Sequence, residues 1–201
     1  MRLLKLLLVL LACAASPAVA GPLEDGLAAQ NNGDYATALR LLSPLADQGN
    51  IRAQNAIGFM YANGEGVLRD YAAAMAWYRK AADQGLAAAQ YNIGFMYANG
   101  EGVLRDYAAA MAWCRKAADQ GMARAENTIG VMYERGLGVV PDYATAMAWY
   151  RKAADQGDAS AQKNLRELLS KAPNSAPALP LPLSGYVAGP SFDCAGRAVA
   201  T

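Results

Sequence analysis

An all-α fold is predicted for this chain: a right-handed α-solenoid of stacked antiparallel helix pairs, followed by a disordered C-terminal tail. Three observations predict it. Sequence landmarks recur every 36 residues, and each recurring unit divides into two segments of strong helical preference. One helix pair alone is too small to bury its apolar side, so neighbouring pairs have to stack into a continuous core.

The repeat is marked by Asp-Tyr pairs, which begin units at residues 34, 70, 106 and 142, and by an Asp-Gln-Gly segment near the end of each first helix. Residues 57–77 are identical to residues 93–113. Identity over that length indicates duplication of a whole unit. The repeat domain is therefore assigned to residues 34–171.

Helix boundaries within a unit follow from capping chemistry. Asp70 is a suitable N-cap because its carboxylate can accept a hydrogen bond from a free amide of the first turn. Residues 71–84 contain no proline or glycine, and Gly85 is placed to end the helix in the left-handed conformation. A second helix ends at Gly100. The expected helices span 22–31, 34–48, 51–62, 70–84, 87–98, 106–120, 123–134, 142–156 and 159–170.

The second helix of each unit has a glycine in its middle. Gly94 recurs as Gly58 and Gly130. Such a glycine costs about 1 kcal/mol relative to alanine. Its recurrence therefore predicts that the partner helix approaches closely at this position.

The N-terminal unit differs from the others. Residues 21–33 are assigned to a capping helix. In the next helix, Leu41 and Leu42 replace the Trp-Tyr pair of later units, and Pro44 is expected to interrupt the helix.

Residues 1–20 have the pattern of a secretory signal peptide. Arg2 and Lys5 precede ten apolar residues, and a small-x-small cleavage site ends at Ala20. The apolar run is shorter than the ~20 residues of a transmembrane helix. We expect a periplasmic or secreted protein without a transmembrane span. The alternative is a lipoprotein acylated at Cys13.

Composition excludes several classes of function. Without the leader's two basic residues, 16 of the 18 Lys and Arg remain against 17 acids, a net charge of −1. That balance argues against nucleic-acid binding. The chain has no histidine, the usual general base and the commonest metal ligand. No catalytic residue, metal site or cofactor is assigned. Cys114 occupies the position of Tyr78 and Tyr150 and is interpreted as a small apolar filler.

The units resemble a known repeat family. The pattern Ala-x-x-x-Ile-Gly-x-Met-Tyr-x-x-Gly-x-Gly-Val, followed by Asp-Tyr-x-x-Ala-Met-x-Trp-Tyr-Arg-Lys-Ala-Ala-Asp-Gln-Gly, resembles the Sel1-like repeat, a relative of the tetratricopeptide repeat. The resemblance covers residues 34–171 and implies a scaffold for protein–protein contact, often exported by bacteria. Cysteine-rich members associated with penicillin binding and hydrolysis carry a disulfide in each repeat. This chain lacks such pairs, so that activity is not transferred.

The tail, residues 172–201, is rich in proline and poor in charge, as in an extended linker. Two interpretations of its end stay open. Residues 190–195 resemble the opening of an LprI-type lysozyme-inhibitor domain, which would make residues 190–201 a truncated domain start and Cys194 a stranded thiol. The other interpretation is a disordered tail with an isolated cysteine.

A binding surface is predicted on the concave side, the usual one in solenoids of this kind. The stripe opposite the buried one combines amide, aromatic and arginine side chains, which suit an extended peptide. Ordinary solvated surface is the alternative. The candidate partner-binding residues are Arg52, Asn55, Phe59, Asn63, Tyr91, Phe95, Asn99, Arg124, Asn127 and Arg135.

The leading functional hypothesis is an exported, monomeric, non-enzymatic scaffold that binds a protein or peptide. One alternative is the remnant of a two-domain lysozyme-inhibitor-like envelope protein. Another is a hydrolase of cell-wall material or β-lactams. The repeating acids Asp70, Asp106 and Asp142 are better explained as helix caps, because every unit needs a cap whereas catalysis needs one unique constellation.

Overall fold

The computed structural model describes residues 21–171, which form nine α-helices and no strand. The helices are α1 (Pro22–Asn31), α2 (Tyr35–Asp47), α3 (Ile51–Asn63), α4 (Tyr71–Asp83), α5 (Ala87–Asn99), α6 (Tyr107–Ala118), α7 (Ala123–Arg135), α8 (Tyr143–Asp155) and α9 (Ala159–Lys171). The all-α prediction is confirmed, and each helix lies within two residues of its expected bounds. The predicted signal peptide and proline-rich tail lie outside the described residues.

The chain divides by internal contacts into residues 1–165 and residues 166–201. Within the first unit, each helix packs against the next in chain order, most extensively in the pairs α3–α4, α5–α6 and α7–α8. The described part of the second unit is the end of α9. The stacked helix pairs of the first unit confirm the predicted solenoid.

Helix starts follow the predicted capping chemistry. Asp70 accepts a hydrogen bond from the backbone N–H of Ala73 at 3.0 Å, and Asp106 accepts one from Ala109 at 2.9 Å. At the other end of a helix, Gly100 adopts φ of +74° and donates its N–H to the carbonyl of Met96. Caps at both ends therefore satisfy backbone groups that a helix terminus leaves open.

Pro44 does not interrupt its helix, so that prediction was wrong. α2 continues through Pro44 to Asp47. Proline removes one N–H, which would have bonded the carbonyl of Arg40. Both Pro44 and Arg40 are exposed, so water can bond that carbonyl and the helix keeps its last turn.

The predicted close approach at the mid-helix glycines is confirmed. A Cβ added to Gly94 would lie 2.9 Å from Cys114 Sγ. The loops make a second close approach: Gly102 has φ of +68°, and a Cβ there would lie 2.5 Å from Tyr71 Cβ. Gly102 thus joins its loop to the preceding helix pair at a point where no side chain fits.

Among residues 21–171 the core contains three successive clusters, each built between neighbouring helices. Ile93 and Met96 are buried with Tyr78 in one cluster, and Ile129 and Met132 are buried with Cys114 in the next. These buried residues on α5 and α7 stand one repeat apart.

Buried polar side chains link neighbouring units at one equivalent position. Gln54 Oε1 accepts a hydrogen bond from Gln84 Nε2 at 2.8 Å, and Gln90 Oε1 accepts one from Gln120 at 2.8 Å. In the third unit, Glu126 stands in this position and accepts from Gln156 Nε2 at 2.6 Å. This series of hydrogen bonds between units therefore contains one buried carboxylate, which was not predicted from the sequence.

Candidate functional site

Three cavities in the first unit share walls. The first, of about 600 Å³, lies among α1, α2, α3 and the start of α5, and shares Phe59 with the second, of about 390 Å³. The second shares Tyr91 and Phe95 with a third cavity of about 330 Å³. Adjacent cavities have common side chains, and the three cavities together are called the groove below.

The groove contains nine of the ten side chains predicted from the sequence. Phe59 and Phe95, which divide the cavities, are 44% and 48% exposed, an unusual degree for phenylalanine. The predicted residues that line the groove are Arg52, Asn55, Phe59, Asn63, Tyr91, Phe95, Asn99, Arg124 and Arg135. Asn127 does not line these three cavities.

Several lining residues were not predicted from the sequence. Arg69 and Glu101 belong to the loops, and Tyr35, Tyr71 and Tyr107 begin helices of the other set. The sequence shows that a tyrosine begins the first helix of each unit. Its position beside the candidate partner-binding residues, however, follows only from the packing of the helix pairs.

Asparagine side chains bond between units with an offset of 37 residues. Asn92 Nδ2 donates to Asn55 Oδ1 at 3.1 Å, and Asn164 Nδ2 donates to Asn127 Oδ1 at 3.0 Å. Asn55 and Asn127, two of the predicted partner-binding residues, therefore each accept a hydrogen bond from an asparagine of the next unit. Asn55 nevertheless lines the groove, whereas Asn127 does not.

Two further asparagines bond the loops. Asn63 Nδ2 donates to Glu65 Oε1 at 3.4 Å, and Asn99 Nδ2 donates to Glu101 Oε1 at 3.5 Å. These long bonds hold the acidic side chains of the glycine-rich loops at the edge of the groove.

Tyr91 is the most enclosed aromatic residue of the candidate set. Burial raises the pKa of its hydroxyl, while a hydrogen bond with Thr128 and the nearby Arg124 partly offset that rise. The guanidinium carbon of Arg124 lies 6.0 Å from the centroid of the Tyr91 ring. The phenol therefore stays neutral and presents a polar edge within an otherwise apolar wall.

The arginines of the groove differ in their ionic partners. Arg52 Nη1 lies 3.2 Å from Glu24 Oε1. Within residues 21–171, no carboxylate oxygen lies within 4.0 Å of the guanidinium groups of Arg69, Arg124 or Arg135. The second and third cavities therefore contain positive charge without a direct counter-ion from the described chain.

Cys114 forms part of the wall of the third cavity. Its side chain is buried against Gly94, and burial raises the pKa of the thiol to about 12. The interpretation of Cys114 as an apolar filler is confirmed, since a protonated thiol in the core behaves as a small hydrophobe.

Residues 21–171 contain neither a metal-binding cluster nor a membrane-spanning helix. No group of three or more Cys, Asp or Glu side chains is arranged to hold a metal ion there. None of the helices in that range has the length and apolar character needed to cross a membrane.

The stacked helix pairs and the groove define an α-solenoid repeat protein. The chain belongs to the Sel1 repeat family, whose model matches residues 23–50, 51–86, 87–122 and 123–158. The last three matches begin at α3, α5 and α7, which carry the candidate residues, whereas the Asp-Tyr frame begins at the alternate helices. Both frames describe the same 36-residue period.

Two solved structures resemble the chain in sequence and fold. It is 42% identical to the protective antigen c5321 of uropathogenic Escherichia coli, which displays an SLR fold, with a TM-score of 0.65 over 69% of this chain and 30% of that one. It is 38% identical to a Sel1 repeat protein from Oxalobacter formigenes, with a TM-score of 0.64 over 70% of this chain and 58% of that one. The chain therefore spans less than two thirds of either relative.

A third structure shares the fold alone. Cysteine rich protein B of Helicobacter pylori is 18% identical, with a TM-score of 0.52 over 66% of this chain and 95% of that one. A comparison with curated proteins finds no match.

Proposed function

We propose that this protein is an exported, non-enzymatic scaffold that binds a protein or peptide segment in the groove. The observation that carries the proposal is the exposure of Phe59 and Phe95, at 44% and 48%, in the walls between adjoining cavities. Exposed aromatic side chains that line adjoining cavities are typical of interaction sites, where they gain burial when a partner binds.

The helix-capping role of the recurring acids supports the absence of catalysis. Asp70 and Asp106 each bond a backbone N–H of their own helix. Asp142 bonds two backbone N–H groups and the hydroxyl of Thr145. Carboxylates with these bonds act as helix N-caps. Each unit repeats the same arrangement, whereas catalysis would need one unique arrangement of side chains.

Export is supported by the leader pattern of residues 1–20. Expression of the full chain in a bacterial host, followed by fractionation, tests this part. We expect a processed protein in the periplasm or medium whose N-terminal residue is Gly21. An unprocessed chain in the cytoplasm would contradict export. A chain acylated at Cys13 would be a membrane-anchored lipoprotein and would contradict cleavage before Gly21.

Binding is tested with a displayed library of random peptides and the chain that begins at Gly21. We expect selected peptides to bind the native chain and to lose binding in the variant Tyr91→Ala/Phe95→Ala, while far-ultraviolet circular dichroism stays helical. The matched control is Leu68→Ala/Leu104→Ala, which removes two side chains that are 92% and 91% exposed and do not line the groove. Equal loss of binding in both variants would refute the groove as the site.

A further inference from the structure

The chemistry of the segment that the groove accepts follows from the groups left available to it, and this inference rests on the proposed function. Asn55 and Asn92 bond each other, while Asn63 and Asn99 bond the acidic side chains of the loops. Amide groups are therefore partly used within the protein. The polar groups that stay available in the second and third cavities are mainly guanidinium groups.

Charge in these two cavities is unbalanced. Their lining includes Arg69, Arg124 and Arg135 but one acidic side chain, Glu101. Glu101 lies 3.5 Å from Asn99 Nδ2 and has no arginine within 4.0 Å among the described residues. A concave site of one predominant charge concentrates ligands of the opposite charge. A neutral or basic segment would leave these guanidinium groups without a partner.

Arg124 and Arg135 stand at opposite ends of one helix. Arg124 is the second residue of α7 and Arg135 the last. Eleven residues of α-helix separate their Cα atoms by about 16 Å along the axis. In an extended chain, only residues an even number of positions apart point to the same side, and a spacing of four residues covers about 13 Å. The long arginine side chains cover the remaining distance, so two carboxylates about four residues apart match the two arginines.

The side chains between the two arginines are mainly apolar, with Asn99 and Thr128 among them. Phe95 and Tyr91 form the wall between the cavities, and Val131 and Leu137 line the third cavity with Cys114. A volume of about 330 Å³ accommodates an apolar side chain of a bound segment. The groove thus offers an apolar centre between two cationic ends.

We propose that the groove between α5 and α7 binds an extended acidic peptide segment in which two carboxylates, about four residues apart, flank an apolar side chain. The apolar side chain packs against Phe95 and Tyr91. One carboxylate pairs with Arg124 and the other with Arg135, in the bidentate geometry that guanidinium groups favour.

The test uses the full chain and three fluorescent peptides that are acetylated and amidated, so that terminal charges do not contribute. The first is Gly-Ser-Asp-Ala-Leu-Ala-Asp-Ser-Ser-Gly, and the other two have Asn or Lys in place of both Asp residues. We expect the Asp peptide to bind at least about tenfold more tightly than the Asn peptide, and the Lys peptide to bind most weakly. Added salt should reduce this preference.

Arg124→Gln and Arg135→Gln should each reduce the preference for the Asp peptide severalfold. Arg151→Gln is the matched control, because Arg151 is exposed on α8 and does not line the groove. Retained preference in both groove variants would overturn the inference, as would failure of the Asp peptide to bind more tightly than the Asn peptide. If library peptides of any charge still bind, and lose binding in the Tyr91→Ala/Phe95→Ala variant, the proposed function stands without the acidic preference. If no library peptide binds, both the inference and the proposed function are refuted.

Discussion

Lys152 Nζ lies 2.9 Å from Oε1 of Glu126, a carboxylate that is fully buried while the lysine side chain is 54% exposed. Oε1 is buried and has no hydrogen bond within the described residues, so the ammonium group supplies its compensation. In the two preceding units the equivalent lysines lie closer to the centroids of their tryptophan rings, at 3.7 Å for Lys80 and 4.0 Å for Lys116. For Lys152 this distance is 5.2 Å. The buried acid therefore has its own lysine.

Removal of the lysine should destabilise the fold. Lys152→Met leaves the Glu126 carboxylate buried without an opposite charge, and we expect a loss of about 1–3 kcal/mol in the free energy of unfolding, measured with urea. Glu126→Gln should change stability little, because Gln54 and Gln90 occupy the equivalent position in other units. In the Glu126→Gln background, Lys152→Met should cost much less. Equal costs of Lys152→Met in both backgrounds would contradict the pairing.

The loop glycine Gly102 should tolerate alanine less well than the turn glycine Gly85. Both have positive φ, +68° and +93°, which costs a residue with a side chain about 1–2 kcal/mol. Around Gly85 the space for a Cβ is open, whereas at Gly102 it is filled by Tyr71. We expect Gly102→Ala to cost about 3 kcal/mol or more in urea unfolding, and Gly85→Ala only the backbone strain. Equal destabilisation by the two substitutions would refute the contact.

The thiol of Cys114 should resist alkylation in the folded protein. Burial raises its pKa from the ordinary 9.0 to about 12, so at pH about 8.5 the thiolate is about a thousandfold less populated than in the unfolded chain. In the Cys194→Ser variant of the chain from Gly21, labelling should be very slow until urea is added. Cys114→Ser is the control, whose labelling reports Cys194 alone. Rapid labelling of native Cys114 would contradict its burial.

The same shift gives Cys114 a pH-dependent contribution to stability. Because the folded pKa is raised, this contribution is complete below pH 9.0 and is lost as pH rises toward about 12. The free energy of unfolding of the native chain should therefore fall more steeply with rising alkaline pH than that of Cys114→Ala. Tyrosine titration is common to both proteins and cancels in the difference. Parallel pH profiles would refute the shift.

The cap of α8 should weaken in acid. The hydroxyl and backbone N–H of Thr145 lower the pKa of Asp142 below its ordinary 3.8. The sign is that of a depressed carboxyl: its stabilising effect is present above pH 3.8 and is lost as pH falls through the folded pKa. Thr145→Ala should raise the pKa of Asp142, measured by NMR titration, with Thr128→Ala as the control. An unchanged pKa would contradict the cap's hydroxyl bond.

Much of the fold could be predicted from the sequence, because each unit repeats the residues that begin and end its helices. Asp70, Gly85 and Gly100 act locally, through hydrogen bonds to neighbouring backbone or through positive φ, so their spacing defines the helices. Pro44 was misjudged because its effect depends on whether the orphaned carbonyl of Arg40 reaches water, which is a property of the packed structure.

The candidate site was predictable in part. The outward stripe of α3, α5 and α7 was readable from helical spacing, and nine of its ten residues line the groove. The bonds of Asn127 and Asn92 depend on how far one unit is offset from the next. The periodicity of a single helix gives no information about the offset between neighbouring units. The burial of Glu126 was not predicted because glutamate side chains ordinarily lie on the surface. Only the alignment of Glu126 with Gln54 and Gln90 indicates burial.

The identity of residues 57–77 with 93–113 has a genetic consequence. A crossover between the two coding copies would excise or add one whole module and leave a seam whose amino acids already occur in the parent. Gly58 and Gly94 would be interchangeable at that seam, and the altered protein would keep its end modules. Unequal recombination would therefore change the number of units, and with it the length of the groove, in steps of 36 residues.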